Sequence, residues 1–482
     1  MPEATLNNSS TATDNVVDKH FRRLKSNSVA LRSEGYKSRK RRLTKLRDWV
    51  MNNRPAIKEA LFKDFKKPPE EVDLSEVYVV IQELNHAITH LKKWMKPKKV
   101  STPLSLLGTN GAIHYEPKGI CLIIAPWNFP FNLTVGPLVS ALAAGNTVMI
   151  KPSELSPATS DLIHRMVEEC FGDDDIVQVM LGDKETSTAL LERPFDHIFF
   201  TGSPQVGKII MEAASRHLSS ITLELGGKSP LIVDEKANLR DTAEKLVWGK
   251  FSNAGQTCIA PDYVLCHEKI QNALLEEIRS AILRLFDPDG KGIQKSAAYA
   301  RIINERHFDR LNDMLNEALD DGALLVSGGQ THREDCYISP TVLTGVDPDG
   351  KLSNEEIFGP ILPVLSFNTV DDVITYINSK PKPLAMYLFC GGKENRQAIE
   401  KNTSAGGICV NETLVHFMHP NLPFGGANHS GIGKSHGHFG FLSLSNEKAV
   451  LKQRVGHTSV KLLYPPYTPR VKKMINLLLR YF

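Results

Sequence analysis

A cysteine and a glutamate in this chain have the residue types and local settings of a nucleophile and a base. Cys258 lies in the short polar stretch Gly255-Gln-Thr-Cys258, between a helical pattern and a strand-like run. Glu224 lies upstream, where an apolar run ends in the pair Gly226-Gly227. A thiolate is a good nucleophile and a carboxylate can take a proton. The pair predicts covalent catalysis, and at this point a protease-like acyl transfer remains open.

Length and composition limit what kind of protein carries this pair. The chain has 482 residues, which predicts two or three folded units, and a formal net charge of +4, which is too small to indicate a nucleic-acid partner. Its 7 cysteines have no paired spacing, and the N-terminus has no apolar signal core. No apolar run reaches the ~20 residues that span a bilayer. We therefore expect reduced thiols and a cytoplasmic location.

The elements that must position the pair change in type along the chain. Apolar residues recur at helical spacing over residues 16–95, and residues 97–116 read as an extended or hairpin arm. From residue 117, short continuous apolar runs alternate with helical stretches, which indicates a parallel sheet covered on both faces, an architecture typical of nucleotide binding. The alternation resumes after Glu224, which predicts a second α/β unit.

Six motifs follow one another in an order that identifies a resemblance. They are Ala-Pro-Trp127-Asn128-Phe-Pro, Lys151-Pro-Ser-Glu154, Phe200-Thr-Gly202-Ser203 with Gly207, Leu223-Glu224-Leu-Gly-Gly-Lys, Gly255-Gln-Thr-Cys258, and Glu356-Ile-Phe358-Gly-Pro followed by Pro423-Phe424-Gly-Gly. With them the chain resembles the aldehyde dehydrogenase superfamily over about residues 16–465. The helical N-terminus and the Tyr464-Pro-Pro segment are most similar to the class 3 branch, whose members oxidise fatty and aromatic aldehydes.

The resemblance implies a role for each of three catalytic residues. Cys258 would form a thiohemiacetal and then a thioester, and we expect its surroundings to favour the thiolate. The side-chain amide of Asn128, with the backbone N–H of Cys258, would hold the oxyanion. Glu224 would activate the water that hydrolyses the thioester, and burial should raise its pKa from the ordinary ~4.3.

Each of these residues also has a structural interpretation. A buried structural thiol is one alternative for Cys258, although Cys121 and Cys409 lie in apolar strands and fit it better. Asn128 could form a turn between two prolines, and Glu224 could be a salt-bridged carboxylate at a strand end.

The resemblance also implies NAD as cofactor, with NADP possibly tolerated. The segment from Gly202 and Ser203 to Gly207 should open a helix whose N-terminus faces the pyrophosphate. Lys151 and Glu154 would contact the adenosine ribose, where a carboxylate accepts from a 2′-OH and repels a 2′-phosphate. The remaining cofactor residues are Trp127, Gly226, Glu356 as a contact to the nicotinamide ribose, and Phe358 packing nearby.

The substrate is predicted from positions that match the class 3 tunnel, namely Phe129, Asn132, Leu133, Trp248 and Ile259. They are mostly apolar and include no cation, which favours medium-chain, long-chain or aromatic aldehydes, although Trp248 and Leu133 are equally compatible with plain core. One rival is a coenzyme-A-acylating relative, which would not need Glu224. Another is a non-catalytic structural or membrane-associated protein of the same fold.

The domain plan follows from these assignments. Residues 1–14 are expected to be a disordered tail, 15–96 and 117–224 a Rossmann-like cofactor-binding domain, and 225–415 a catalytic domain. Residues 97–116 and 416–455 would form a small β arm that bridges two subunits of a homodimer.

Two segments near the C-terminus carry chemistry that the family does not explain. Histidines 416, 419, 429, 436 and 438 lie in a Gly/Pro-rich region without a fixed scaffold, so we assign them surface or packing roles and predict no metal. The tail 456–482 ends in mixed basic and apolar residues. It could make peripheral contact with an anionic membrane or pack on a partner subunit.

Overall fold

The computed structural model describes residues 3–456 and 458–481, which form two mostly parallel sheets with helices on their faces and a small antiparallel arm. The chain begins with helices, which are α1 Glu3–Leu31, α2 Tyr36–Asn52, α3 Arg54–Phe65, α4 Pro69–Val72 and α5 Tyr78–Trp94. A π-helical turn, Asp73–Val77, joins α4 to α5.

Helix α1 covers most of the segment that was expected to be a disordered tail. It starts at Glu3, whereas residues 1 and 2 lie outside the described part of the chain. The residues from Glu3 to Asp14 include no glycine or proline, so the backbone carries no residue that ends a helix. Composition alone therefore predicted disorder where the structure has a helix.

The antiparallel arm has three strands, which are β1 Lys98–Val100, β2 Thr109–Pro117 and β18 Ser445–Gln453. β2 is the central strand, and β18 pairs with it over its whole length. The arm thus joins segments far apart in sequence.

The first sheet contains β3 Ile120–Ile124, β4 Thr147–Lys151, β5 Val177–Val179, β6 His197–Gly202, β7 Ser220–Leu225 and β17 Gly431–Ile432, in the order β17-β7-β6-β3-β4-β5. The helices between them are α6 Asn132–Ala144, α7 Pro157–Phe171, α8 Lys184–Leu191 and α9 Pro204–His217. Every residue of β3 and β4 is buried, as expected for strands covered on both faces.

The second sheet contains β8 Pro230–Val233, β9 Tyr263–His267, β10 Leu324–Ser327, β13 Thr341–Thr344, β14 Ile361–Phe367, β15 Ala385–Phe389 and β16 Gly407–Val410, in the order β10-β13-β14-β9-β8-β15-β16. Its helices are α10 Leu239–Phe251, α11 Gln271–Phe286, α12 Glu305–Asp320, α13 Lys351–Asn354, α14 Val370–Ser379 and α15 Lys393–Asn402. A ribbon of β11 Thr331–His332 and β12 Tyr337–Ile338 lies outside it. The predicted α/β class is confirmed.

The segment 416–455 divides between two parts of the molecule. Strand β17 pairs with β7 of the first sheet, and helix α16 Gly437–Ser443 packs on α5 and α6. The last part of this segment, β18, is a strand of the arm. Most of the predicted bridging segment therefore covers the first sheet, close to the end of β7.

The first sheet has a switch point between β3 and β6. The chain proceeds from β3 to β4 and β5, then crosses back to place β6 on the other side of β3, with all these pairs parallel. The carboxyl ends of two adjacent strands then open a crevice, which is where such sheets bind ligands.

The last helix is α17 Pro469–Tyr481, and it has no buried residue. No helix in the described ranges is both long enough and apolar enough to cross a membrane.

Candidate active site

The loop that carries Cys258 turns through three consecutive left-handed residues. Helix α10 ends at Phe251, and Asn253, Ala254 and Gly255 then have φ of 54°, 50° and 74°. Glycine adopts this region freely and asparagine tolerates it, whereas an alanine there costs roughly 1–2 kcal/mol. The Asn253 side chain supports the turn, because its Nδ2 donates to the carbonyls of Asn128 and Gln256.

Asn128 and the cysteine loop hold each other. The buried Asn128 donates from Nδ2 to the Gln256 carbonyl at 3.0 Å, and Asn253 Nδ2 donates to the Asn128 carbonyl, also at 3.0 Å. An amide nitrogen has two N–H groups, so the bond to Gln256 uses one of the two donors of Asn128. The chain segment after β3 is therefore locked to the loop of the nucleophile.

The thiol of Cys258 does not have the environment that the sequence predicted. Burial, with the neighbouring carboxyls of Glu356 and Glu224, raises its pKa to about 12, although the backbone N–H groups of Cys258 and Ile259 oppose the shift. The expectation that the site favours the thiolate is wrong for the protein alone, because desolvation outweighs the two donors.

Glu224 has the environment expected of a general base. It lies at the end of β7, is 6% exposed, and accepts a hydrogen bond from Ser435 Oγ at 2.8 Å on Oε1. Its other oxygen, Oε2, is buried without a hydrogen-bond partner among the described residues. Burial raises the pKa of Glu224 to about 7, so the carboxyl exchanges its proton near neutral pH.

Cys258 and Glu224 face the same cavity. Its volume is about 40 Å³, which is room for roughly three water molecules. Strands β6 and β7, helices α5 and α6, the Cys258 loop and the segment after β16 line it, and the apolar lining includes Leu133, Phe199, Phe417 and Phe424. Nucleophile and base are therefore brought together by tertiary structure.

The predicted adenosine contacts lie at the carboxyl ends of β4 and β6. Lys151 ends β4 and is buried, and its Nζ donates to the exposed Glu154 at 2.5 Å. Ser203 caps α9 by accepting from the Val206 N–H. A Cβ on Gly207 would lie 3.0 Å from Leu225, so glycine lets α9 approach β7. The N-terminus of α9 and the exposed Glu154 both follow strands of this parallel sheet, an arrangement that fits a dinucleotide.

The predicted nicotinamide contacts form a second group. A Cβ on Gly226 would lie 2.1 Å from Glu356 Oε2, so the carboxyl sits directly against this glycine. Burial and the nearby Asp262 raise the pKa of Glu356 to about 8. Phe358 and Trp127 pack edge to face with ring centroids 5.4 Å apart. Trp127 follows β3 and Gly226 follows β7, so this group meets the same edge of the first sheet at which Lys151 and Gly202 end their strands.

Only two of the five predicted tunnel residues line this cavity. Asn132 and Leu133 line the cavity with Cys258. Phe129 is half-buried with the Lys67 ammonium 3.8 Å from its ring centroid, Trp248 is 37% exposed, and Ile259 is buried with its carbonyl accepting from Tyr387. These three are not among the residues that line the described cavity.

Sequence reasoning missed Glu83 and His436, which also line this cavity. His436 Nδ1 is 3.1 Å from Glu83 Oε1, and the Gly437 N–H donates to Glu83 Oε2 at 3.0 Å. The surface or packing role that we gave to His436 is thus incomplete. A signal was present: Glu83 falls on the apolar stripe of α5 with Val80, Leu84 and Ala87, where an unpaired charge would be costly.

Over residues 3–456 and 458–481, no three His, Cys, Asp or Glu side chains are grouped so as to hold an ion.

Comparison with known proteins agrees with this fold. The model of the Aldehyde dehydrogenase family matches residues 2–450, and the chain belongs to this family. It is 40% identical over 459 residues to the 4,4'-diaponeurosporen-aldehyde dehydrogenase of Staphylococcus aureus, covering 95% of this chain and 98% of that protein. It is 40% identical over 456 residues to human Aldehyde dehydrogenase family 3 member B1, covering 94% and 96%.

A solved structure gives the same result. The substrate-bound state of Staphylococcus aureus AldH superposes with a TM-score of 0.91 at 39% identity, covering 96% of this chain and 99% of that one. The resemblance identified from the motifs is confirmed. The protein is an oxidoreductase that oxidises an aldehyde with a nicotinamide cofactor.

Proposed function

We propose that Cys258, Asn128 and Glu224 carry out this oxidation, and that the product is a free carboxylic acid. The observation that carries the proposal is the shared cavity, which contains both the thiol and the buried carboxyl of Glu224, beside the loop that Asn128 locks.

The first half-reaction forms a covalent adduct. The Cys258 thiol gives its proton to water in the cavity, the sulfur attacks the aldehyde carbon, and the oxyanion accepts hydrogen bonds from the free Nδ2 donor of Asn128 and the N–H of Cys258. Bound NAD supplies a hydride acceptor. Loss of hydride from the adduct carbon leaves a thioester on Cys258.

The second half-reaction hydrolyses the thioester. Glu224 takes a proton from a cavity water, the hydroxide adds to the acyl carbon, and the C–S bond breaks to leave the Cys258 thiolate and the acid. A carboxyl with a pKa of about 7 is suited to this step. A coenzyme-A-acylating enzyme would not need such a base, so the environment of Glu224 favours water as acceptor.

We assign the remaining cofactor contacts by region. Lys151 and the exposed Glu154 would bind the adenosine ribose, Ser203 and Gly202 would place the pyrophosphate at α9, and Glu356 would bind the nicotinamide ribose. A carboxylate at position 154 favours NAD over NADP, because a 2′-phosphate would meet a like charge. Tolerance of NADP is compatible with the exposure of Glu154, which lets water screen that charge.

We assign medium-chain, long-chain or aromatic aldehydes as substrates. The residues that line the cavity include five large or rigid apolar side chains, which are Leu133, Pro137, Phe199, Phe417 and Phe424. The same lining contains no Lys or Arg and two acidic residues, Glu83 and Glu224, which disfavour a substrate with its own carboxylate.

The test separates the two half-reactions. Cys258→Ser should eliminate NADH formation from hexanal or benzaldehyde. Glu224→Gln should retain a rapid NADH burst of about one equivalent per site and slow the following steady rate by about 10²-fold or more. In the wild type, hydrolysis should rise with pH through about 7 as Glu224 deprotonates. Full activity in Cys258→Ala would contradict the mechanism.

We further propose that the protein is a cytoplasmic homodimer formed through the arm, with peripheral membrane contact through α17. The arm exposes Val100, Leu104, Leu107 and Leu451 at 44–62%.

Helix α17 combines four basic residues with exposed apolar ones and has no acidic residue. Packing of α17 on the partner subunit is the alternative.

A further inference from the structure

The cavity holds one ion pair for which the mechanism has given no role. Glu83 and His436 line the same cavity as Cys258 and Glu224, and the two are paired at 3.1 Å. They come from elements far apart in sequence, α5 and the residue before α16. Buried ion pairs seldom add stability, so this pair requires another explanation.

The backbone of His436 is strained, which also suggests that this side chain has a function. Its φ of 71° and ψ of 139° lie in a region that side chains rarely adopt, which costs roughly 1–3 kcal/mol. Glycine would be unstrained at this position. The imidazole is held in place by Glu83 and by the rings of Phe417 and Phe424, with centroids 4.5 and 5.2 Å away.

Glu224 needs a route for its proton. Oxidation of an aldehyde by NAD and water to a carboxylate releases protons in every turnover, and Glu224 must be ionised again before it can activate the next water. At 6% exposure it has little contact with bulk water, and Ser435 occupies its Oε1. Its unpartnered Oε2 and the His436 ring both border a cavity with room for water.

We infer that His436 and Glu83 form the proton exit of this enzyme: cavity water carries the proton from Glu224 to the His436 ring, and the Glu83 carboxylate stabilises the imidazolium until the proton leaves. The inference rests on the proposed role of Glu224 as base. No bond other than O–H and N–H bonds changes, and the proton ends in solvent.

The surrounding charges suit this transfer. His436 is adjacent in sequence to Ser435, which bonds to Glu224, and to Gly437, which bonds to Glu83. Lys434 and the buried, neutral His416 also face this region, and burial lowers the pKa of His416 to about 4. The Glu83 carboxylate, 3.1 Å from the His436 ring, supplies the negative charge that stabilises a proton on that ring.

Two further histidines on α5 could carry the proton from Glu83 and His436 toward the surface. His86 and His90 follow Glu83 at spacings of three and seven residues, which places them on one side of the helix. Both are half-buried, their ring centroids are 4.3 Å apart, and the charge of Glu83 acts on His86.

The decisive variant is His436→Gly, because glycine fits the backbone at this position and leaves space for an imidazole molecule. The matched control is His438→Ala, whose ring packs on Trp94 and Phe441 and does not line the cavity. NADH and carboxylic acid are each measured on the millisecond scale with full-length enzyme, NAD and hexanal, followed by the steady state.

In His436→Gly we expect a burst of acid of about one equivalent per site and a kcat about tenfold lower, because Glu224 starts ionised but resets slowly. Added imidazole should restore kcat in a saturable manner, and His438→Ala should behave as the wild type. A merely structural role of His436 would instead slow the first hydrolysis and give no acid burst.

An unchanged kcat, the absence of an acid burst, or a slow variant that imidazole does not rescue would overturn the proton exit. If the wild type itself forms no NADH through Cys258, the proposed mechanism fails and the inference fails with it. If His436→Gly still gives an NADH burst, the chemistry at Cys258 is intact, and a negative result then counts against the proton exit alone.

Discussion

At the scale of single residues, the contact between Gly226 and Glu356 is the tightest in the cofactor region. A Cβ at position 226 would meet both carboxyl oxygens of Glu356, at 2.1 and 2.3 Å. Glu356 is buried and accepts from the Gly227 N–H, so its carboxyl has little freedom to move away. Glu356, which we propose binds the nicotinamide ribose, can therefore keep its position only because residue 226 has no side chain.

Gly226→Ala should raise the KM for NAD about tenfold, which corresponds to about 1.4 kcal/mol, because the displaced Glu356 loses its contact with the cofactor. The measurement is steady-state kinetics at saturating aldehyde. Gly392→Ala is the control, since a Cβ there has no heavy atom within 4 Å. An unchanged KM for NAD in Gly226→Ala would argue against Glu356 as a cofactor ligand.

At the scale of elements, strand ends position the chemistry. Trp127 and Asn128 follow β3, Lys151 ends β4, and Glu224 and Gly226 lie at the end of β7. Parallel strands bring their carboxyl ends to one edge, so short motifs scattered over a long sequence meet there. The cysteine loop comes from the second sheet, and the hydrogen bonds of Asn128 and Asn253 join it to this edge.

Helix α17 gives the prediction at this scale. A chain truncated after Thr468 should lose binding to vesicles that contain phosphatidylserine, because it loses Arg470, Lys472, Lys473 and Arg480 together with the exposed leucines. Cosedimentation of the full chain should weaken with salt and be absent with phosphatidylcholine vesicles. Activity toward hexanal should be unchanged. Loss of the dimer on truncation, with vesicle binding intact, would favour the partner-subunit alternative.

At the scale of the whole molecule, the arm carries several exposed apolar side chains. They lie on β1, on the loop before β2 and on β18 of a thin three-stranded sheet. Such apolar exposure indicates an interface. A sheet of this size is marginal alone, so association would also stabilise the arm.

Leu107→Asp combined with Leu451→Asp should convert the proposed homodimer to a monomer, because two charges would be buried in the proposed interface. Light scattering coupled to size-exclusion chromatography measures the mass. Leu324→Asp is the control, since Leu324 is 66% exposed on the edge strand β10 of the second sheet. A wild type that is monomeric at the same concentration would exclude the arm as an interface.

The sequence by itself determined the family, the α/β class and the candidate nucleophile, base and oxyanion residue. These features are local: continuous apolar runs predict buried parallel strands, and short motifs keep their spacing along the chain. The raised pKa of Glu224 was also predictable, because a carboxyl at the end of an apolar strand is buried.

Tertiary structure alone decided the rest. Burial between two carboxyls raised the pKa of Cys258, against the expectation from its polar loop. Glu83 and His436 meet at the cavity only because α16 packs on α5, although more than 350 residues separate them in the chain. Desolvation, and pairing between distant segments, depend on which residues surround a group in space. The spacing of motifs along the chain does not specify those residues.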